Sequence, residues 1–180
     1  MGNMRNLKLV KLSAQYQSLL VEMLDEWQAD ITTNGGDPSP RMVFRNDWHD
    51  FDSYLKNLEV KPGNQDGWVP DSMFFLYDAD NDRFLGAVNI RHELNEFLEF
   101  SIGHIGDGIR PSQRRRGYGT ILVGLALEEC RKLGIPKALL CCRSENIASA
   151  KTIVRNGGIL ENVVVDGEGR SIQRYWVDLS

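Results

Sequence analysis

The stretch that most restricts the fold is IRPSQRRRGYGT, residues 109–120, together with the helix it opens. Strand-type residues at 104–110 run into Pro111, which cannot continue a sheet ladder, and a basic polar turn follows. Gly117 and Gly119 then lead into 120–133, where Ile121, Leu122, Leu125, Ala126, Cys130 and Leu133 share one helical face. Arg131 and Lys132 suit the negative end of that helix, and Gly134 and Pro136 stop it. A strand, a glycine turn and a long amphipathic helix require a sheet with a helix laid across it. The fold class is therefore α/β.

The same junction is suited to an anion. The first N–H groups of a helix have no internal partner and point together at the positive end of the dipole. Glycine lets a ligand approach the backbone, and Arg110, Arg114, Arg115 and Arg116 add charge. A diphosphate is the natural guest. The nucleotide triphosphatase loop GxxxxGK[ST] is absent, and a dinucleotide fingerprint needs a small residue where Leu122 stands.

The rest of the chain supplies the sheet. Residues 7–12 alternate apolar and basic, and Ser13 is placed to cap a helix with the stripe Leu19, Leu20, Met23, Leu24 and Trp27. TTNGGDPSP at 32–40 reads as a loop, and Trp48, Phe51, Tyr54, Leu55 and Leu58 as a second helix. A loop at 61–70 precedes an antiparallel hairpin of 73–77 and 84–91, turned at Asp80-Asn81-Asp82. Leu94, Phe97 and Leu98 suggest a short helix. Residues 137–142 form a buried strand, 146–156 a helix, and 159–165 with 172–179 a closing hairpin. A right-handed crossover is expected at the central strand–helix–strand unit.

At 180 residues the chain suits one domain, 1–180. A net charge of −4 argues against a nucleic-acid partner, which would need a basic face; three consecutive arginines in an acidic chain do not supply one. No apolar run approaches the roughly 18 residues of a membrane span, and residues 1–13 lack the apolar core of a leader, so a cytoplasmic protein is expected. Cys130, Cys141 and Cys142 have no histidine at metal-site spacing and read as free thiols, so no metal is expected.

Arg114-x-x-Gly117-x-Gly119 resembles the Q/R-x-x-G-x-G/A pyrophosphate loop of the GCN5-related N-acetyltransferases (GNAT superfamily). The resemblance extends over about residues 85–159, through the strand HIGDGIRP, the following helix, and the strand ALLCC with SENIAS beyond it. The segment LNEFLEFSIGHIGDGIRPSQRRRGYGT is also similar to a bacterial subgroup of predicted acetyltransferases.

That resemblance implies a mixed, mostly antiparallel sheet flanked by helices, with a splayed central parallel strand pair. It implies acetyl-coenzyme A as co-substrate and direct transfer to an amine in a ternary complex. Ile109 and Arg110 would lie beside the pantetheine arm, and Arg115, Arg116, Gly117, Tyr118, Gly119 and Thr120 would hold the pyrophosphate, with Arg114 closing the turn. Asn146 and Ser149 fall where relatives contact the cofactor, although Asn146 is equally suited to cap the last helix.

His104 and Asp107 lie on the strand that faces the acetyl group and are the candidates for the base, while a histidine satisfied by backbone is the plainer reading of His104. Relatives often carry a tyrosine acid where this chain has Ile153, which leaves open a module that binds the cofactor without transfer. Asp30 and Asp37 are placed to attract a cationic amine, and Glu93, Glu96 and Glu99 read as a solvated face. Trp27, Trp48, Phe51 and Trp68 are core or acceptor-pocket residues. The closing hairpin offers an edge for the homodimer common among relatives.

Overall fold

The computed structural model describes residues 6–64 and 66–180. The readings of 1–13 and 61–70 therefore fall partly outside the described residues, at 1–5 and at 65. Strand β1 (Leu7–Val10) leads to a short 3-10 turn and helix α1 (Gln17–Asn34). Helix α2 is Phe51–Asn57, and strands β2 (Asp71–Asp78) and β3 (Arg83–Arg91) form the expected hairpin. Helix α3 (Glu96–Ser101), strand β4 (Ile105–Ile109), helix α4 (Tyr118–Lys132), strand β5 (Lys137–Arg143) and helix α5 (Ile147–Arg155) follow. Strands β6 (Ile159–Val165) and β7 (Ser171–Asp178) close the fold.

Two sheets result, β1-β2-β3-β4 and β5-β7-β6. One apolar layer joins Leu20, Met23, Leu24 and Trp27 of α1 to Phe51 and Tyr54 of α2 and to Met73, Phe75, Phe84 and Ala87 of the first sheet. The other layer sets Leu122, Val123, Ala126, Leu127 and Cys130 of α4 against both sheets, on Val88 and Ile90 of β3 and on Ala138 and Leu140 of β5. Alternate residues of β3 thus feed opposite layers, as the two-residue period of a strand dictates. Helix α4 spans the join and holds the two sheets together.

Several expectations are corrected. Every ladder among the described residues is antiparallel, so no parallel strand pair forms. Strand β5 takes β7 as its neighbour, and a single bridge, Gly103–Leu140, ties it to the strand run containing β4. The crossover through α4 therefore links two sheets instead of two strands of one.

The buried face of α4 is rotated toward Val123 and Leu127, and Ile121 and Leu133 are exposed. Ser13 precedes the 3-10 turn without a side-chain cap, and α1 runs on through Thr32, Thr33 and Asn34 before Gly35 ends it at φ 64°. Trp27 and Phe51 belong to the core, whereas Trp68 is exposed and Trp48 is half-buried against Phe44. Glu93, Glu96 and Glu99 are exposed, as expected. The three cysteines are free, and no helix of the described residues is long and apolar enough to cross a membrane.

Candidate functional site

The two sheets are joined at His104. Its backbone N–H donates to the Leu139 carbonyl (2.7 Å), and the Leu139 N–H donates back to its ring Nδ1 (3.0 Å). The ring is buried, and desolvation with help from the nearby Arg91 charge pushes its pKa down to about 4. A neutral imidazole whose Nδ1 accepts a backbone proton must carry its own proton on Nε2. That leaves it no free lone pair for a substrate proton. His104 ties β5 to the start of β4, and among the described residues no ladder joins the two strands beyond it.

Further along β4, Asp107 is half-buried and accepts no hydrogen bond from a described residue. Desolvation, then the charge of Asp37, raises its carboxyl to about 6. The 37–40 segment fits closely onto the face of β4 that carries Gly106 and Gly108, the face opposite the Asp107 side chain. A methyl added at Gly108 would run into the Ser39 carbonyl oxygen and the Trp27 ring, and one at Gly106 would lie 3.6 Å from Pro40. Glycine at 108 is what lets that segment reach the strand. Trp27 fixes it from α1 by donating its indole N–H to the Asp37 carbonyl (3.0 Å).

At the end of β4 the chain turns through Pro111–Gln113 to the start of α4. The first hydrogen bond into α4 runs from Ile121 N–H to the Gly117 carbonyl (3.4 Å). The amides of Arg115, Arg116, Gly117, Gly119 and Thr120 precede that ladder and lie at the positive end of a helix of 15 residues. Arg115 (φ 62°) and Gly117 (φ 84°) are both left-handed, so the chain turns sharply twice just before α4. A left-handed arginine is costly, by about 1–2 kcal/mol, and such backbone strain clusters at binding sites. At Gly119, by contrast, an added methyl would meet only Thr152 Oγ1 at 3.7 Å. The fold itself therefore does not require glycine there.

The four arginines of this region divide into two pairs. Arg110 is turned inward: its guanidinium binds Glu26, Glu22 (3.0 Å) and the Phe84 carbonyl (3.2 Å), and its backbone N–H donates to Leu85. Arg114 donates to the Ile109 carbonyl (3.0 Å) and to Asp30 (2.8 Å), which closes the turn. Arg115 and Arg116 are exposed. The carboxylates that hold the first pair come from α1 at spacing i, i+4, i+8, a periodicity visible in the sequence although its target was not. Asp30 is thereby committed to the loop and not to an acceptor.

After β5, the Asn146 side-chain oxygen Oδ1 accepts from the Ser149 N–H (3.0 Å) and caps α5. This occupies the oxygen and leaves the amide nitrogen as a donor. Ile153 packs in the core. Sequence reasoning missed a polar group behind it: Tyr175 on β7 donates to Gln173 Oε1 (2.8 Å), which faces Cys142 of β5. The alternation of β7 was the only signal for it. Among the described residues no cluster of metal-binding side chains is present.

Comparison with known proteins agrees with this fold. The chain is similar in fold to a spermidine N-acetyltransferase from Vibrio cholerae solved with CoA and spermine, at 17% identity and a TM-score of 0.63, covering 96% of this chain and 95% of that one. It is also similar to the microcin C7 self-immunity acetyltransferase MccE solved with acetyl-CoA and AMP, at 18% identity and a TM-score of 0.66, covering 98% and 93%. No curated protein sequence matches. The profile described as the acetyltransferase (GNAT) family matches residues 22–157, most of the chain and all of the strand–loop–helix unit. The chain belongs to the GNAT acetyltransferase family.

Proposed function

We propose that this chain, acting as one domain over 1–180, transfers the acetyl group of acetyl-coenzyme A to a primary amine within a ternary complex. The observation that carries the reading is the coiled loop at 114–119, with two left-handed residues at the N-terminus of α4 and two exposed arginines beside it. The amides of Arg115, Arg116, Gly117, Tyr118, Gly119 and Thr120 hold the diphosphate. The pantetheine arm runs in the gap between β4 and β5, along Ile109 and the Arg110 backbone on one side and Asn146 and Ser149 on the other. The expected splay of the two strands enters the reading as that gap.

Chemistry follows from what lines β4. A neutral amine attacks the thioester carbonyl carbon, the C–N bond forms, and a backbone N–H near Ile109 stabilises the oxyanion. The C–S bond then breaks and the electron pair leaves on sulfur, a good leaving group that tolerates Ile153 in place of an acid. The proton shed by the amine passes to the Asp107 carboxylate, directly or through one water. Held near pKa 6, that carboxylate is a stronger base than an ordinary aspartate yet mostly ionised at neutral pH. His104 keeps the gap open instead of taking the proton.

The acceptor is a cationic amine, drawn by the negative charges of Asp37 and Asp107, which are close enough to sense one another. A likeness in fold to an acetyltransferase solved with spermine adds support. The outer strand β6, with Ile159, Val163 and Val165 exposed, offers the edge for a homodimer. The test is calorimetry with acetyl-coenzyme A, followed by thiol release with a panel of amines that includes polyamines. Binding with release on at least one amine is expected. Binding without release across the panel would make the chain a donor-binding module, and no binding would overturn the reading.

A further inference from the structure

We infer that Glu26 is a positioning residue for the donor: from α1 it sets the shape of the loop that grips the diphosphate. The inference rests on the reading of that loop given above. Both carboxylate oxygens of Glu26 are committed to it. Oε2 accepts from Arg110 Nε (2.9 Å) and Nη2, and Oε1 accepts from the Ser112 backbone N–H (2.8 Å). The carboxylate thus bridges the side chain at the end of β4 and the main chain of the turn that follows it. Two residues after Ser112, Arg114 is held by Asp30 of the same helix face. The left-handed pair Arg115 and Gly117 comes immediately after.

The loop cannot keep this shape without Glu26. The Arg110 side chain is only 6% exposed, so water does not replace a lost partner, and Glu22, 62% exposed, offers a single contact at 3.0 Å. A buried cation left half-paired pushes the turn to rearrange, and the exposed Ser112 amide loses its tie to α1. Glu26 stays ionised in the working range: burial opposes its charge, but hydrogen bonds from Arg110 and Ser112 outweigh burial and hold its carboxyl below the usual value. The stripe has a second effect. By neutralising Arg110 and Arg114 internally, it leaves Arg115 and Arg116 as the cations free to meet phosphate.

Steady-state kinetics with two donors test this. Acetyl-coenzyme A carries the diphosphate, and S-acetylpantetheine lacks it but presents the same thioester. Glu26→Gln should raise the KM for acetyl-coenzyme A about tenfold, the loss of one charge-assisted hydrogen bond. It should leave kcat at saturation, and kcat/KM for S-acetylpantetheine, within about twofold. Asp30→Asn carries the same expectation through Arg114 and replaces the first variant if that one does not fold. An unchanged KM for acetyl-coenzyme A, or an equal loss with both donors, overturns the inference and leaves the diphosphate reading intact. If the unaltered protein itself does not distinguish the two donors, the diphosphate reading falls, and the role of Glu26 with it.

Discussion

Gly117 and Gly119 lie two residues apart, yet their replacement should have separable effects. At Gly117 the backbone is left-handed (φ 84°) and an added methyl would touch nothing within 4 Å, so alanine suffers only the backbone cost. That cost is about 1–2 kcal/mol, a fall in Tm of about 2–8 °C for a chain of this size. Gly119 is a helical residue, where valine is better than glycine by a few tenths of a kcal/mol; crowding against Thr152 offsets part of that gain. Stability of Gly119→Val should therefore stay within about 1 kcal/mol of the unaltered protein. Binding behaves differently. Cα–Cβ bonds tilt toward the helix N-terminus, so the isopropyl group should crowd the proposed diphosphate seat. Losing two charge-assisted bonds of about 1.5 kcal/mol each weakens acetyl-coenzyme A about a hundredfold. Gly119→Ala should lose less than about tenfold, since the pattern this loop resembles admits alanine there. In melting experiments at a hundred times the unaltered Kd, the donor should stabilise the native protein by about 2.7 kcal/mol and Gly119→Val by only about 0.4 kcal/mol. If Gly119→Val binds as tightly as the unaltered chain and keeps the full ligand-induced rise in Tm, the N-terminus of α4 does not hold the diphosphate.

Three further outcomes are expected. Asp107→Asn should lower kcat about 10²–10⁴-fold and remove the rise in rate that a pH–rate profile of the unaltered protein is expected to show between pH 5 and 7. Because its native pKa is above the ordinary value, ionisation destabilises the fold as pH climbs from about 4 to 6. The same variant should thus be more stable at pH 7, by about 1–2 kcal/mol after allowance for its partial exposure, in urea titrations. His104 has the opposite sign: its native pKa of about 4 is depressed, so the unfolded chain takes up the proton first as pH falls. Up to about 3 kcal/mol of stability should vanish between pH 6.5 and 4, and His104→Gln should flatten that slope. Arg115→Gly should relieve a left-handed side-chain residue and raise stability by about 1 kcal/mol. It should also weaken acetyl-coenzyme A and reduce the salt dependence of its binding in calorimetry.

What could be read in the chain was what neighbours in sequence decide. Pro111 after a strand pattern, Gly117 in a basic turn and the apolar stripe of α4 are local instructions, because backbone sterics and a 3.6-residue period act over a few residues. The glycine turn that opens α4 was legible for that reason, and so was the cap at Asn146. The face of α4 was read slightly askew because Val123 and Leu127 are buried only by two sheets arriving on that side.

Charge assignments were another matter. Four arginines look alike in the sequence, and only contacts spanning more than eighty residues, from Glu22, Glu26 and Asp30, turned two of them into struts and left two free. Likewise His104 became a pin because Leu139, from another sheet, offered both halves of a backbone peptide pair. Burial next to Asp37 distinguished Asp107 from the other surface-type acids. A side chain's type and local pattern are written along the chain, but its partner and its dielectric surroundings exist only once distant segments have been brought together.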